Sequence, residues 1–250
     1  MRLALVLTAA FFSLTQARAD DKKTDPKAVI KKAIEAHGGE KNLKKYQGVV
    51  QELKGTINVL GQEVEFTGKS WSQGGEKNKT EMAFNLAGME IAFSMGFNKD
   101  KAWMSMMGVV RALPEQFLKS MKGEAQAEAI GRLYPLLDKK YKLTSVKGVK
   151  IDKNPTHGVK VEGKGMKPVT LYFDQKTNLL MRMAYTGVDL AQQGATVKRE
   201  LTFSGYKKGK QGIPQPAKFV MKKDGDVEME AKLKTTLHEK LKDSIFVQPD

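Results

Sequence analysis

The chain has 250 residues, 40% of them apolar, enough to furnish one large domain or two small ones. It contains no cysteine, which excludes thiol nucleophiles, thiolate metal sites and dithiol redox chemistry. Its formal charge of +15 favours anionic partners such as lipid headgroups, acidic polysaccharide or nucleic acid, although the lysines are spread along the chain, as on a solubilising surface.

Residues 1–19 have the three parts of a secretory signal. Arg2 supplies the positive start, residues 3–14 are an apolar run, and Ala17-Arg18-Ala19 is a small-x-small site before Asp20. The apolar run is roughly a dozen residues, short of the about 20 that span a bilayer. No Cys follows it, so attachment of a lipid there is not expected. The expectation is an exported, periplasmic or secreted protein, cleaved near Ala19-Asp20, with residues 20–250 forming a single domain. Loss of Arg2 and Arg18 leaves 41 basic against 28 acidic residues, a charge of +13.

A helix opens the domain. Asp25-Pro26 reads as an N-cap with Pro at the first helical position, and Gly38-Gly39 closes it. Val29, Ile30, Ala33, Ile34 and Ala36 recur at helical spacing opposite Lys27, Lys31, Lys32 and Glu35.

From Gln47 the period becomes two. Val49, Leu53, Ile57 and Val59 share one parity, and a turn at 60–62 leads to Val64 and Phe66. Met82, Phe84 and Leu86 line the next strand, and Ala87-Gly88 allows a reversal. Met89, Ile91, Phe93, Met95 and Phe97 then alternate with smaller or polar residues, and a further strand carries Trp103, Met104 and Met106. Residues 114–137 return to helical spacing, through Phe117, Leu118, Met121, Ala125, Ala129, Leu133 and Leu136, with Pro135 as a kink or stop.

Strands resume at Tyr141. Val159 and Val161 precede a turn at 163–168, then Val169, Leu171 and Phe173, and a return strand with Met181, Met183 and Tyr185. Further strands carry Leu201 and Phe203, then Phe219 and Met221. Asp224-Gly225 is a hairpin signal before a last strand of Val227, Met229, Ala231, Leu233 and Leu237. This is a mainly antiparallel β protein with helices (α+β), each strand apolar on one face and wet on the other.

Catalytic and metal chemistry find little purchase. His37 sits at a helix C-terminus, where it suits the last carbonyls. His157 reads as a turn residue after Asn154-Pro155-Thr156, and His238 continues the polar parity of the last strand. None has a metal-ligand spacing, and neither GxSxG nor a phosphate loop occurs, so no catalytic residue, metal or cofactor is expected. A pair of carboxylates meeting only in space stays open.

Methionine stands out instead. Six of the 13 Met lie within residues 82–107, interleaved with Phe84, Phe93, Phe97 and Trp103. Met is flexible and polarizable, which suits a surface for variable apolar partners, and equally suits ordinary core packing. The candidate ligand-binding residues are Phe66, Phe84, Met89, Phe93, Met95, Trp103, Met104 and Met106.

Several short motifs carry a resemblance. Ile34-Glu35-Ala36-His37-Gly38-Gly39 with Leu43 and Tyr46, Leu171-Tyr172-Phe173-Asp174 running into Leu179-Leu180, Gly212-Ile213-Pro214 with Pro216, and the closing residues 241–249 resemble the periplasmic lipoprotein-carrier superfamily typified by LolA and LolB, in particular its outer membrane lipoprotein-sorting relatives. The resemblance implies an incomplete, strongly curved β-barrel of about ten to eleven strands, covered by the N-terminal helix and the central helical insertion, with an apolar concavity for acyl chains. The expected function is a non-enzymatic binder or carrier of lipid or acylated protein; its surface lysines would meet an anionic membrane surface, and no nucleic-acid partner is expected, because few aromatics lie on the polar parity of the strands. The alternative is an envelope protein-interaction or stress-sensing module whose concavity is filled by its own helices.

Overall fold

A computed structural model describes residues 24–59, 61–189 and 194–249. The expected export signal and its cleavage point lie outside the described residues.

Helix α1 spans Pro26–Ala36. The Asp25 side chain accepts the Lys27 N–H at 3.0 Å, and the His37 N–H closes the other end on the Ala33 carbonyl. Val29, Ile30, Ala33 and Ile34 are buried, so the apolar stripe read from the sequence faces the core. A short α2, Glu40–Lys45, follows and leads into the sheet.

The sheet begins with two long hairpins, β1 (Gly48–Val59) with β2 (Gln62–Gln73), and β3 (Lys77–Leu86) with β4 (Met89–Phe97). Strands β5 (Ala102–Met106) and β6 (Val109–Leu113) complete this half, and α3, Glu115–Ile130, then crosses the concave face. The second half comprises β7 (Tyr141–Val146), the two-residue β8 (Lys150–Ile151), β9 (Asn154–Gly163), β10 (Val169–Asp174), β11 (Leu180–Asp189) and β12 (Ala195–Ser204). A minor hairpin, β13 (Lys207–Lys208) with β14 (Pro214–Gln215), precedes β15 (Lys218–Lys223) and β16 (Asp226–His238).

All pairings are antiparallel, and the strand order is β6-β5-β4-β3-β2-β1-β16-β15-β12-β11-β10-β9-β7, with β8 on β9. The last long strand therefore closes against the first, and its register with β1 runs unbroken from Gly48–His238 to Ile57–Met229. Among the described residues β6 and β7 end the path and do not pair with each other, so the barrel stays open. The backbones approach closely where Gly55 faces Ala231: a Cβ on Gly55 would lie 1.8 Å from the Glu230 carbonyl oxygen. Only a glycine admits that approach.

Two apolar clusters fill the concave side. In the larger, Ile30, Ala33 and Ile34 of α1 join Ala127, Ile130, Leu133 and Leu136 against Val159, Val161, Leu171 and Phe173 of β9 and β10. In the smaller, Leu118, Met121 and Ala125 of α3 pack with Phe97 and Ala102. Helix α3 thus bridges the two halves of the sheet.

Three details differ from the sequence reading. The helix expected over 114–137 stops at Ile130, and residues 134–137 form a separate 3-10 turn. Leu133 takes φ 65°, and the Pro135 ring disfavours a helical Tyr134. Second, His157 is in strand β9 opposite Phe173, not in a turn. The turn falls earlier, at Asp152-Lys153, both with positive φ, and Pro155 is tolerated because only the two-residue β8 pairs there. Third, the described residues form sixteen strands where ten to eleven were expected, and four of the sixteen, β6, β8, β13 and β14, are too short to show a period of two.

Candidate functional site

Helix α3 presents one face to the concavity, with Leu118, Met121, Ala125 and Glu128 at spacings of three and four, and Arg132, two residues past its end, continues the stripe. The first three pack into the smaller cluster, as an amphipathic helix requires. The last two are charged, and they roof a hollow of about 300 Å³ together with Ala125 and Ala129. Its floor is mainly apolar, with Val49 and Leu53 from β1, Leu233 and Leu237 from β16, Phe219 from β15, and Leu201 and Phe203 from β12, interrupted by Gln51, Ser72 and Asn78. Asn42, Leu43 and Tyr46 from the α2 segment and Ile213 beside β14 wall one end.

Two polar fixtures hold that end. The His37 ring lies against Ala33 O at 2.8 Å through Nδ1 and against the Leu180 N–H at 3.4 Å through Nε2. That pairing defines the tautomer, with Nδ1 donating and Nε2 accepting. Burial pulls the His37 pKa below its usual value, since the cation would be stranded. Tyr206 meets the ring edge-on, donates to Leu180 O at 2.6 Å, and is pushed upward by burial. His37 is therefore a structural corner, in keeping with its place at the helix end. Arg132 donates to the carbonyls of Tyr46 and Gln47 and so ties the end of α3 to the start of β1. Its Nε is buried without a partner.

The middle of α3 is latched by charge. Glu124 Oε1 accepts the Val188 N–H at 3.1 Å and lies 3.4 Å from Arg199 Nε. Arg199 reaches Glu228 at 2.5 Å, and Lys223 bridges Asp189 at 3.0 Å and Glu228 at 3.5 Å. Arg199 and Lys223 face each other across β12 and β15, so the network sits on the concave side.

Glu128 stands apart from it. Its side chain is exposed to solvent and lines the hollow. Desolvation, then repulsion from Glu124, raises its pKa to about 7, and Arg199 offsets only part of this.

The eight residues singled out from the sequence lie on β2 to β5, and none lines the hollow. Cross-strand register puts seven of them on the concave face: Phe66 pairs with Phe84, Phe93 with Met106, Met95 with Met104, and Met89 with Leu86. Phe66 is buried, Phe84, Phe93, Met95 and Met104 are half-buried, and Met89 and Met106 are 61% and 48% exposed. Trp103 has the opposite parity. It pairs with Gly96 on the convex face and is fully buried, with the Lys79 ammonium 5.8 Å from its ring. The sequence reading missed Glu128 and Arg132. Their signal was there to find: both occupy positions where the α3 stripe calls for an apolar side chain.

No protein-family model matches this chain, and no curated protein matches it either. Solved structures do. A DUF1329 family protein from Desulfovibrio piger superposes with a TM-score of 0.53 at 15% identity, over 90% of this chain and 98% of that one. A domain described as an outer membrane lipoprotein-sorting protein, from Vibrio parahaemolyticus, gives 0.52 at 14%, over 88% and 94%. A LolA superfamily protein from Nitrosomonas europaea gives 0.52 at 14%, over 89% and 97%. The open, strongly curved antiparallel sheet wrapped around α1 and α3 is accordingly the LolA-like fold.

Proposed function

We propose that this protein is an exported, periplasmic carrier of lipid or acylated protein, acting by binding rather than by catalysis. One observation carries the reading. Beneath α3 lies a hollow of about 300 Å³ whose floor is built from Leu53, Leu201, Phe203, Phe219, Leu233 and Leu237. That is within the range of ligand pockets, about 300–1,000 Å³. An acyl chain laid there loses water from most of its length, and at about 25 cal/mol per Å² this contributes several kcal/mol. The concave face beyond the hollow extends the same surface. Phe84, Phe93, Met95 and Met104 offer half-buried apolar contacts, with Met89 and Met106 at the rim.

The likeness to a lipoprotein-sorting domain and a LolA superfamily protein supports this reading at the level of fold. The positive charge supports transient contact with an anionic membrane surface, where a carrier would load. The test is native mass spectrometry of gently purified protein, joined to uptake of a fluorescent acyl probe. Co-purifying lipid mass and saturable uptake are expected. A protein that emerges empty and takes up no probe ends the reading.

A further inference from the structure

Glu128 is the one acidic side chain that lines the hollow among the described residues, and no base pairs with it there. The stripe Ala125, Glu128, Ala129 and Arg132 faces the apolar floor. No lysine, arginine or histidine among the described residues lies within ion-pair distance of the Glu128 carboxyl. Arg199 on β12 is the base whose charge acts on it, and it is already engaged by Glu124 and Glu228. Tyr185 on β11 faces the carboxyl as a neutral phenol, because burial and the nearby carboxylates raise its pKa. Lys223 on β15 is spent on Asp189 and Glu228. Across the hollow, His37 is neutral and hydrogen-bonded, Lys77 is paired with Asp243 at 2.8 Å, and Arg132 is committed to backbone carbonyls. A carboxylate here is stabilised mainly by the water in the hollow, and an apolar ligand displaces that water.

We propose that Glu128 is the polar anchor of the ligand site: it is protonated when an acyl chain lies beneath α3, donates that proton as a hydrogen bond to the chain's ester or amide carbonyl, and expels the chain on ionising. This rests on the acyl-binding reading above. The hollow thereby selects acyl chains with an uncharged, carbonyl-bearing head. Loading protonates Glu128 Oε wherever it was ionised, and release returns that proton to solvent. The empty-site pKa of about 7 fits this, because it leaves the carboxyl half protonated near neutrality and binding draws it further up.

The probe is a pyrene-labelled monoacylglycerol, which does not itself titrate in this range. Proton linkage predicts that it binds the wild type about thirtyfold more weakly at about pH 8.5 than at about pH 6. Glu128→Gln keeps the size and a donor but cannot ionise, so its affinity should vary less than about twofold over that range. A pH-independent wild type overturns the anchor, as does a Glu128→Gln variant that keeps the full pH dependence. Titration calorimetry of the wild type near pH 7 in two buffers of different ionisation heat needs no variant. It should show uptake of about half a proton per probe bound, and zero uptake overturns the proposal. Probe that binds neither protein at any pH overturns the acyl-binding reading itself, and the anchor falls with it.

Discussion

At the scale of single residues, two side chains show how tightly the molecule is specified. The Trp103 indole lies over Gly96, where an added Cβ would sit 2.8 Å from the ring and 3.0 Å from the Asn78 carbonyl oxygen. Gly96→Ala must displace a fully buried ring, so it should cost about 1–3 kcal/mol. Urea unfolding followed by tryptophan fluorescence reads this, and an unchanged midpoint would contradict the packing. His37 sets a pH dependence. Its folded pKa lies below the ordinary value of 6.5, so the unfolded chain takes up a proton that the folded one refuses. Its contribution is complete above about 6.5 and declines as the pH falls below that. The Tm should therefore drop on acidification, and His37→Gln should flatten that drop. An identical pH profile in the variant would refute the assignment.

At the scale of elements, α3 is held by polar contacts at mid-helix and just past its C-terminal end, with small residues between. Arg132 grips the start of β1, Glu124 grips β11 and β12, and Ala125 and Ala129 lie between. The Glu124 contact is instructive because the Val188 N–H belongs to a strand and is satisfied by a helix side chain. Glu124→Ala removes a charge-assisted bond to a backbone donor, so about 1.5–3 kcal/mol should be lost. Hydrogen exchange should show the effect locally, with faster exchange at the Val188 amide and along α3. Unchanged protection there would mean that the latch contributes nothing. The C-terminal segment is pinned similarly: Leu241 N–H donates to Gln73 Oε1 at 2.8 Å, and Lys77 pairs with Asp243 on the 3-10 turn Asp243–Phe246.

At the scale of the whole molecule, the open sheet leaves room that its helices do not fill. Leu233 points into this room from β16, so Leu233→Trp should occupy the hollow from within. Probe affinity should fall by about tenfold or more, equivalent to about 1.4 kcal/mol. The fold should persist, since the added volume enters space rather than packed core; retained affinity in a folded variant would place the chain elsewhere.

Much of this architecture was legible in the chain. The N-cap at Asp25, the alternation from Val49 to Phe97 and the Asp224-Gly225 turn follow from local chemistry, which acts over a few residues. For the same reason α1 and the long strands appear as read. Short elements such as β6 and β8 were invisible, because three or fewer alternations do not make a period, and His157 was misplaced because its turn depended on a partner strand. The site was harder still. The Met-rich alternation of β3 to β5 is conspicuous in sequence, yet the hollow is assembled from β1, β12, β15, β16 and α3, whose residues are up to 188 positions apart, from Val49 to Leu237. Sequence by itself determined which faces are apolar, since a period of two records burial on one side. Only the tertiary structure decided where that apolar surface stays uncovered, because a hollow is the space between a sheet and the helix that bridges it. The same folding turned Glu128, one more glutamate on a helix, into a carboxyl facing an apolar floor.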